Sequence, residues 1–171
     1  VDDRTLDLED KIRELYDRID IESVLIDYCR FLDIMDLDRL VELFTEDCFV
    51  DYGPDPGFQS HGRQALKSDL ERMWRWVRTS HHLSNVQIMF ESKDMARANS
   101  YIYAWHERPN GVKGVLLGQY SDVLVRTPEG WKIKQRKQYM NGADGDFKSN
   151  INRLQRMPIP PDIDLSKYAS I

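Results

Sequence analysis

What this chain lacks narrows the field first. No apolar run approaches the roughly 20 residues of a membrane-spanning helix, and the acidic, polar opening "VDDRTLDLEDK" does not have the pattern of a signal peptide. The only two cysteines, Cys29 and Cys48, make neither a disulfide framework nor a ligand spacing, so free thiols in a reducing cytoplasm are expected. A basic excess is missing too: 24 Lys and Arg against 29 Asp and Glu leave a formal net charge of −5, the opposite of a nucleic-acid binder's footprint. There is no nucleophile elbow, P-loop, dinucleotide glycine fingerprint or HExxH motif. These absences argue against nucleic acid and membrane as partners, and no motif for a nucleotide cofactor or a catalytic metal is present.

What is present suits one globular core. The 171 residues are 41% hydrophobic and 31% charged, close to the norm for one soluble domain. Over residues 8–35 apolar positions recur at helical spacing: Leu8, Ile12, Leu15 and Ile19, then Val24, Tyr28, Phe31 and Met35. The more charged first half could cap the domain or pack against another subunit. "DLDRLVELF" reads as a short second helix with Asp36 or Asp38 as N-cap. Residues 49–52 form a short strand, and "GPDPG" is a loop. A third helix spans about 63–78, with Leu66, Leu70, Met73, Trp74 and Val77 on its buried side.

The period then changes from 3.6 to 2. Residues 82–91, 96–108, 112–126 and 131–140 read as strands joined by short turns, hence an antiparallel sheet. Helices followed by a meander give an α+β fold, with a long twisted sheet curling around the helices into a cone open at one end. We assign 1–142 to this domain and 143–171, polar and Pro-rich, to an arm or lid.

In "SHHLSNV" His81 and His82 must point to opposite faces of a strand, so at most one looks into a cavity. Alternation groups His81 with Leu83 and Asn85, and His82 with Ser84, Val86 and Ile88. Asp27, three residues after Val24 and four before Phe31, shares their helix face. It is either an inward carboxylate needing a partner or an edge residue tied to Arg30. An Asp bonded to one imidazole nitrogen fixes the tautomer and stabilises the imidazolium, making a base suited to taking a proton from carbon. His106 alternates with Ser100, Ile102 and Ala104, a possible cavity wall; Tyr101, Tyr103 and Trp105 take the other face. Tyr52 is a hydroxyl donor or a core edge, and Gln119 and Ser121 share a face that could offer neutral hydrogen bonds. Lys132, Lys134, Arg136 and Gln138 read as a solvated strand face, and His61 before Gly62 as a strand-to-helix turn.

"IESVLIDYCRFLD", "DRLVELFTEDCFVDYG", "HHLSNV" and "GWKIKQRKQYMNG", in this order over about residues 15–142, resemble the SnoaL-like branch of the NTF2-like superfamily. The resemblance implies a cone-shaped α+β barrel with its pocket between curved sheet and helices. Scytalone dehydratase, hexachlorocyclohexane dehydrochlorinase, bile-acid dehydratases, polyketide cyclases and ketosteroid isomerases share that fold, so the fold does not choose the reaction. In the dehydratase and dehydrochlorinase members a first-helix Asp pairs with a His four residues before a strand Asn. Asp27, with Asp33 following it, and His81 before Asn85 match that pattern, which turns His81 inward and His82 away. Tyr52 in "VDY", His106, Gln119 and Ser121 match further scytalone dehydratase positions. That enzyme's Tyr before its Asp is replaced here by Ile26, so its substrate is not carried over.

The resemblance thus implies a cofactor-independent dehydratase or isomerase acting on a small apolar cyclic molecule of polyketide, steroid or aromatic origin. Catalysis falls to His81, Asp27, His106 and Tyr52, and substrate contact to Phe31, Trp74, Asn85, Leu116, Gln119, Ser121 and Met140. Relatives imply a homo-oligomer, a trimer before a dimer, built on the aromatic outer sheet face. "RTSHHLSNVQI" and "YSDVLVRTPEGWKIKQR" also resemble the small subunits of aromatic-ring-hydroxylating dioxygenases, which are structural partners of an iron-bearing large subunit. A ligand-binding cone without chemistry is the third reading.

Overall fold

The computed structural model describes residues 8–145, 147, 151–155 and 157–161. Helix α1 (Leu8–Asp33) is followed by α2 (Leu37–Glu42), β1 (Phe44–Asp51), a 3-10 turn (Pro56–Phe58), β2 (Gln59–His61) and α3 (Arg63–Leu70). A second 3-10 turn (Glu71–Arg75) leads into β3 (Arg78–Ser92), β4 (Met95–Glu107), β5 (Lys113–Thr127) and β6 (Gly130–Gly145). The strands form one sheet in the order β2-β1-β6-β5-β4-β3, antiparallel except for β1 beside β6. The sheet is curved but not closed, and the N-terminal helices pack within it: a mixed α+β cone. Among the described residues no helix is long and apolar enough to cross a membrane.

Helix α1 crosses the concave face with Ile21, Leu25, Tyr28, Cys29 and Leu32 buried. Its face is not the one expected. Val24, Phe31 and Met35 only flank the core, and Leu8, Ile12, Leu15 and Ile19 are exposed. At about 100° per residue, Asp27 lies roughly 200° around the helix from Leu25, and Asp33 only about 80° from it. Asp27 therefore shares the flank with Val24 and Phe31 while the interior passes it by.

The other elements differ from the expected ones chiefly at their ends. α3 stops at Leu70 and tightens into the 3-10 turn, where Trp74 turns out to solvent, 64% exposed, and Trp76 is buried. β1 begins at Phe44, its edge residues Glu46 and Asp47 pointing outward. His61 does end a strand: Gly62 (φ 81°) opens α3 in a conformation that costs other residues a steric penalty.

Two of the sheet's register shifts decide which side chains face inward. The β3–β4 register shifts between Ser84 and Gln87, and Asn85 sits at φ 51°. Asn tolerates this left-handed conformation better than most residues. His81 and Leu83 point inward before it; Val86, Ile88 and Phe90 do so after it, leaving Asn85 exposed. In β6 the register shifts against Val123 and Leu124, so Trp131 and Ile133 face inward before Gln135, and Arg136 and Gln138 after it. The expected solvated run Lys132–Gln138 is thus broken: Arg136 is wholly buried. Its Nε and Nη2 donate to Asp122 at 2.7 and 2.8 Å, and its guanidinium lies 4.0 Å from the Tyr28 ring centre and 4.2 Å from that of Tyr120. A paired, ring-sandwiched guanidinium is one of the few ways to keep a charge in a core.

β6 runs on to Gly145, three residues past the expected domain edge. Of the arm, residues 152–154 return alongside Met140, whose N–H donates to the Asn152 carbonyl at 2.7 Å while Leu154 N–H donates back to Met140 at 3.0 Å. Asn152 also donates to Asp51 at 3.0 Å. Residues 146, 148–150, 156 and 162–171 of the expected arm lie outside the described residues.

Candidate active site

The concave side holds a cavity of about 60 Å³ bounded by α1, the 3-10 turns, the inner face of β3–β6 and the returning arm. His81, His106, Tyr28, Tyr52, Tyr120, Gln138, Arg72 and Arg75 supply its polar lining; Leu32, Phe58, Leu70, Met73, Leu116, Phe147 and Ile151 supply its apolar walls. This is less than the ~150 Å³ that accepts benzene in an engineered core, so a ring enters only if wall side chains such as Phe147 or Met73 give way.

His81 stands at the start of β3, and its partner is Asp33. Nδ1 lies 2.6 Å from Asp33 Oδ1, and the backbone N–H of His81 donates to Oδ2 at 2.9 Å. Thr79 Oγ1 adds a third donor to Oδ1 at 2.7 Å. A carboxylate only accepts, so Nδ1 carries the proton and Nε2 keeps its lone pair in the neutral ring. Burial alone would raise the Asp33 carboxyl. The bond and charge of the His81 ring, its backbone N–H and Thr79 outweigh that and hold it below the usual carboxylate range. These bonds also offset the cost of a carboxylate at the C-terminal end of a helix. The His81 side chain is only 4% exposed and that of Asp33 24%.

The expected Asp27–His81 pair is not formed. Asp27 is half-buried on the α1 flank, away from the ring that Asp33 holds. Six residues, about 600° of helix, separate the two carboxylates, and only Asp33 turns towards β3. The signal was in the chain: Asp33 lies one turn past Cys29 and next to Leu32, on the edge of the buried stripe.

His106 lines the cavity as β4 alternation suggests, its ring centre 5.3 Å from His81, 4.9 Å from Trp76 and 5.0 Å from Phe147. Burial first, then the neighbouring His81, push its pKa down to about 4. It is neutral at neutral pH, and its Nδ1 is buried with no partner among the described residues. A neutral ring of this kind can hydrogen-bond a carbonyl but is a poor proton source for a leaving hydroxyl. Tyr52 meets Tyr28, hydroxyl to hydroxyl at 2.6 Å, and burial raises both phenols, so the pair offers a neutral O–H rather than a ready acid.

Of the expected contact residues, Leu116 lines the cavity. Phe31 flanks the core beneath Arg39, Trp74 is exposed, and Met140 packs on the core behind the wall. Asn85, Gln119 and Ser121 line a groove on the outer face of the sheet: the bulge turns Asn85 out, and Gln119 and Ser121 alternate with inward Gly118 and Tyr120. The missed residues came from elements whose inward face was unread, notably Arg72, Arg75, Gln138, Phe147 and Ile151. Among the described residues no group of His, Cys, Asp and Glu is placed to hold a metal ion.

Residues 13–137 match the SnoaL-like domain family. An "Uncharacterized protein Rv2910c" from Mycobacterium tuberculosis is 26% identical over 129 residues, covering 73% of this chain and 86% of that one. A crystal structure named "Putative Scytalone Dehydratase" from Novosphingobium aromaticivorans superposes with a TM-score of 0.79 at 34% identity, covering 86% of this chain and 99% of the other. A hexachlorocyclohexane dehydrochlorinase (LinA, type 2) superposes at 0.72 with 17% identity over 90% and 99% of the two chains. A "putative aromatic ring hydroxylase" from N. aromaticivorans does so at 0.72 with 22% identity over 77% and 94%. The last two likenesses show the fold alone. With the family match covering most of the chain and a 34% identical relative sharing the fold, this chain belongs to the SnoaL-like domain family.

Proposed function

We propose that the protein is a cofactor-independent lyase or isomerase in which His81, oriented by Asp33, takes a proton from a carbon next to a carbonyl. The observation that carries this reading is the Asp33–His81 hydrogen bond at the wall of a partly open cavity with more apolar than polar lining. Asp33 keeps the proton on Nδ1, leaves Nε2 as the base and stabilises the imidazolium that forms. The Tyr28–Tyr52 hydroxyl pair faces the same cavity and suits the carbonyl oxygen, where negative charge develops.

In a dehydration the C–H electrons become the C=C bond and the C–O bond breaks. The departing hydroxide needs a proton. His106 carries no spare proton at neutral pH and the tyrosines are too weakly acidic to supply it readily, so His81 returns the one it took and water leaves. In an isomerisation the same proton goes back to a different carbon. The 34% identical neighbour's name favours the dehydratase branch. A purely structural dioxygenase subunit has no use for a carboxylate-oriented histidine at a cavity, which sets that reading second. Both cysteines are free thiols, which suits a cytoplasmic protein. The outer sheet face, where Tyr101 and Tyr103 are each 45% exposed, is the surface for a homo-oligomer, a trimer first.

The test is deuterium uptake from D₂O at the α-carbon of a panel of cyclic ketones, with loss of water followed for their β-hydroxy derivatives. Exchange by the wild type that disappears in His81→Gln and Asp33→Asn supports the reading. Exchange that persists in both variants, or is never seen with the wild type, sinks it.

A further inference from the structure

Helix α1 is apolar on two opposite sides. At about 100° per residue, Ile12, Leu15, Tyr16, Ile19 and Ile26 fall within about 100° of one another. The middle of that stripe lies roughly opposite the face where Ile21, Leu25, Tyr28 and Leu32 enter the core. The sheet covers the inner face, but the five side chains of the outer stripe are between 45% and 65% exposed. They leave on the order of 500 Å² of apolar surface on one helix, near the top of the range for the largest patch on a soluble monomer. Lys, Glu or Gln would serve helix formation there as well, so propensity does not account for them.

The order of residues in the stripe suits a second copy of the same helix running antiparallel. About a two-fold axis between Leu15 and Tyr16, Ile12 meets the second copy's Ile19 and Leu15 meets its Tyr16, so the seam is its own complement. The charged flanks agree. On one, Arg13 comes within about 3 Å along the axis of the second copy's Asp20; on the other, Lys11 comes equally close to its Glu22. Arg13 also reaches Asp10 of its own helix, but both side chains are exposed and free to share. Arg18, on the flank of Lys11, is turned to the sheet by Glu14 at 2.7 Å and the Ile88 carbonyl at 3.0 Å. One like-charge approach, Glu9 near the second copy's Asp20, stands against these pairs. A parallel arrangement would instead set Arg13 beside the second copy's Lys11.

We infer that α1 makes a two-fold, antiparallel contact with α1 of a second copy of this chain. The two stripes and their flanks bury roughly 1,200 Å² in all, above the ~1,000 Å² expected of a biological interface. The contact is separate from the outer sheet face. A molecule that uses both surfaces builds an assembly of twice the sheet-borne state, a hexamer if that state is a trimer. Nothing in this contact depends on the chemistry proposed for the cavity.

Sedimentation and cross-linking of the full chain test the contact. Leu15→Glu with Ile19→Glu should halve the sedimenting mass and leave far-ultraviolet circular dichroism unchanged, since both side chains are exposed. Lys11→Glu makes its pair repulsive in both copies and should raise the dissociation constant roughly 10-fold. Adding Glu22→Lys should reverse that rise. Orientation is read from cysteines: Ile12→Cys and Ile19→Cys together should give covalent dimers under mild oxidation, and each alone should not. The two positions are about 10 Å apart in one helix, too far to bridge within a chain, and the native Cys29 and Cys48 are buried. Tyr101→Lys with Tyr103→Lys should leave these cross-links in place. A mass untouched by the paired glutamates overturns the inference, as does a monomeric wild type, whose stripe is then covered by something other than a second copy. Cross-links in the single-cysteine variants overturn it too, because they require parallel helices.

Discussion

The Nδ1 atom of His81 lies 2.6 Å from Oδ1 of Asp33, the last residue of α1, so the end of the helix is pinned to the start of β3 at the cavity wall. The same carboxylate accepts the His81 backbone N–H and the Thr79 hydroxyl. Ring and main chain are therefore oriented by one group, and the geometry of the base is set by a helix terminus rather than by a loop.

Activity should separate the two aspartates of α1. Asp33→Asn should lower turnover by about 10²–10⁴-fold, the range for a misoriented or unstabilised general base. Asp27→Asn, on the helix flank, should stay within a few-fold of wild type. Steady-state rates on any substrate that the panel identifies check this, and equal losses at both positions would contradict it.

Acid should weaken the fold through His106. Its folded pKa of about 4 lies below the ordinary 6.5, so between those values the unfolded chain binds more protons and stability falls as pH falls. The full effect is on the order of 3 kcal/mol, reached near pH 4 and absent at pH 7. Asp33, held below its ordinary value, adds to the loss only below about pH 4, as pH falls through its folded pKa. Urea unfolding at pH 7 and pH 5 should show a clear drop for wild type and a smaller one for His106→Gln.

The buried Arg136–Asp122 pair should be costly to break from one side. Arg136→Met leaves Asp122 uncompensated and should cost about 3–5 kcal/mol, while the double change Arg136→Met with Asp122→Leu should recover much of it. Thermal unfolding of the two variants compares them directly. Because the guanidinium lies on the Tyr28 ring, the single variant should also disturb the Tyr28–Tyr52 hydroxyl pair.

Asn85 should matter for its backbone, not for substrate. At φ 51°, Asn85→Gly should be close to neutral and Asn85→Val should destabilise by about 1–3 kcal/mol. A β-branched residue there would favour a regular strand, which would turn Val86, Ile88 and Phe90 away from the core. Unchanged unfolding curves for Asn85→Val would show that the bulge carries no strain.

The outer sheet face should carry the assembly. Replacing Tyr101 and Tyr103, both 45% exposed, by Lys should lower the oligomeric state seen by sedimentation while far-ultraviolet circular dichroism stays the same. A wild type that sediments as a monomer would remove that proposal.

Local pattern was enough for much of this molecule. The period change after residue 78, the short turns and the apolar spacing of the helices determined the α+β order. Alternation along β4 separated inward His106 from outward Tyr101 and Tyr103, and the paired histidines split as neighbours on a strand must. What the sequence could not decide were phases. A helix with apolar residues on several sides does not say which stripe is buried until a sheet closes over it, and that choice moved the acid from Asp27 to Asp33. A strand keeps its parity only until a bulge, and the shifts at Asn85 in β3 and at Lys134 in β6 break it. They turned Asn85 out and Arg136 in. The cavity's walls also come from segments far apart in the chain, Arg72 and Arg75 from a tightened turn and Phe147 and Ile151 from a returning arm. Only the packing of the whole chain brings such residues together, because no local periodicity records which distant surface a side chain will meet.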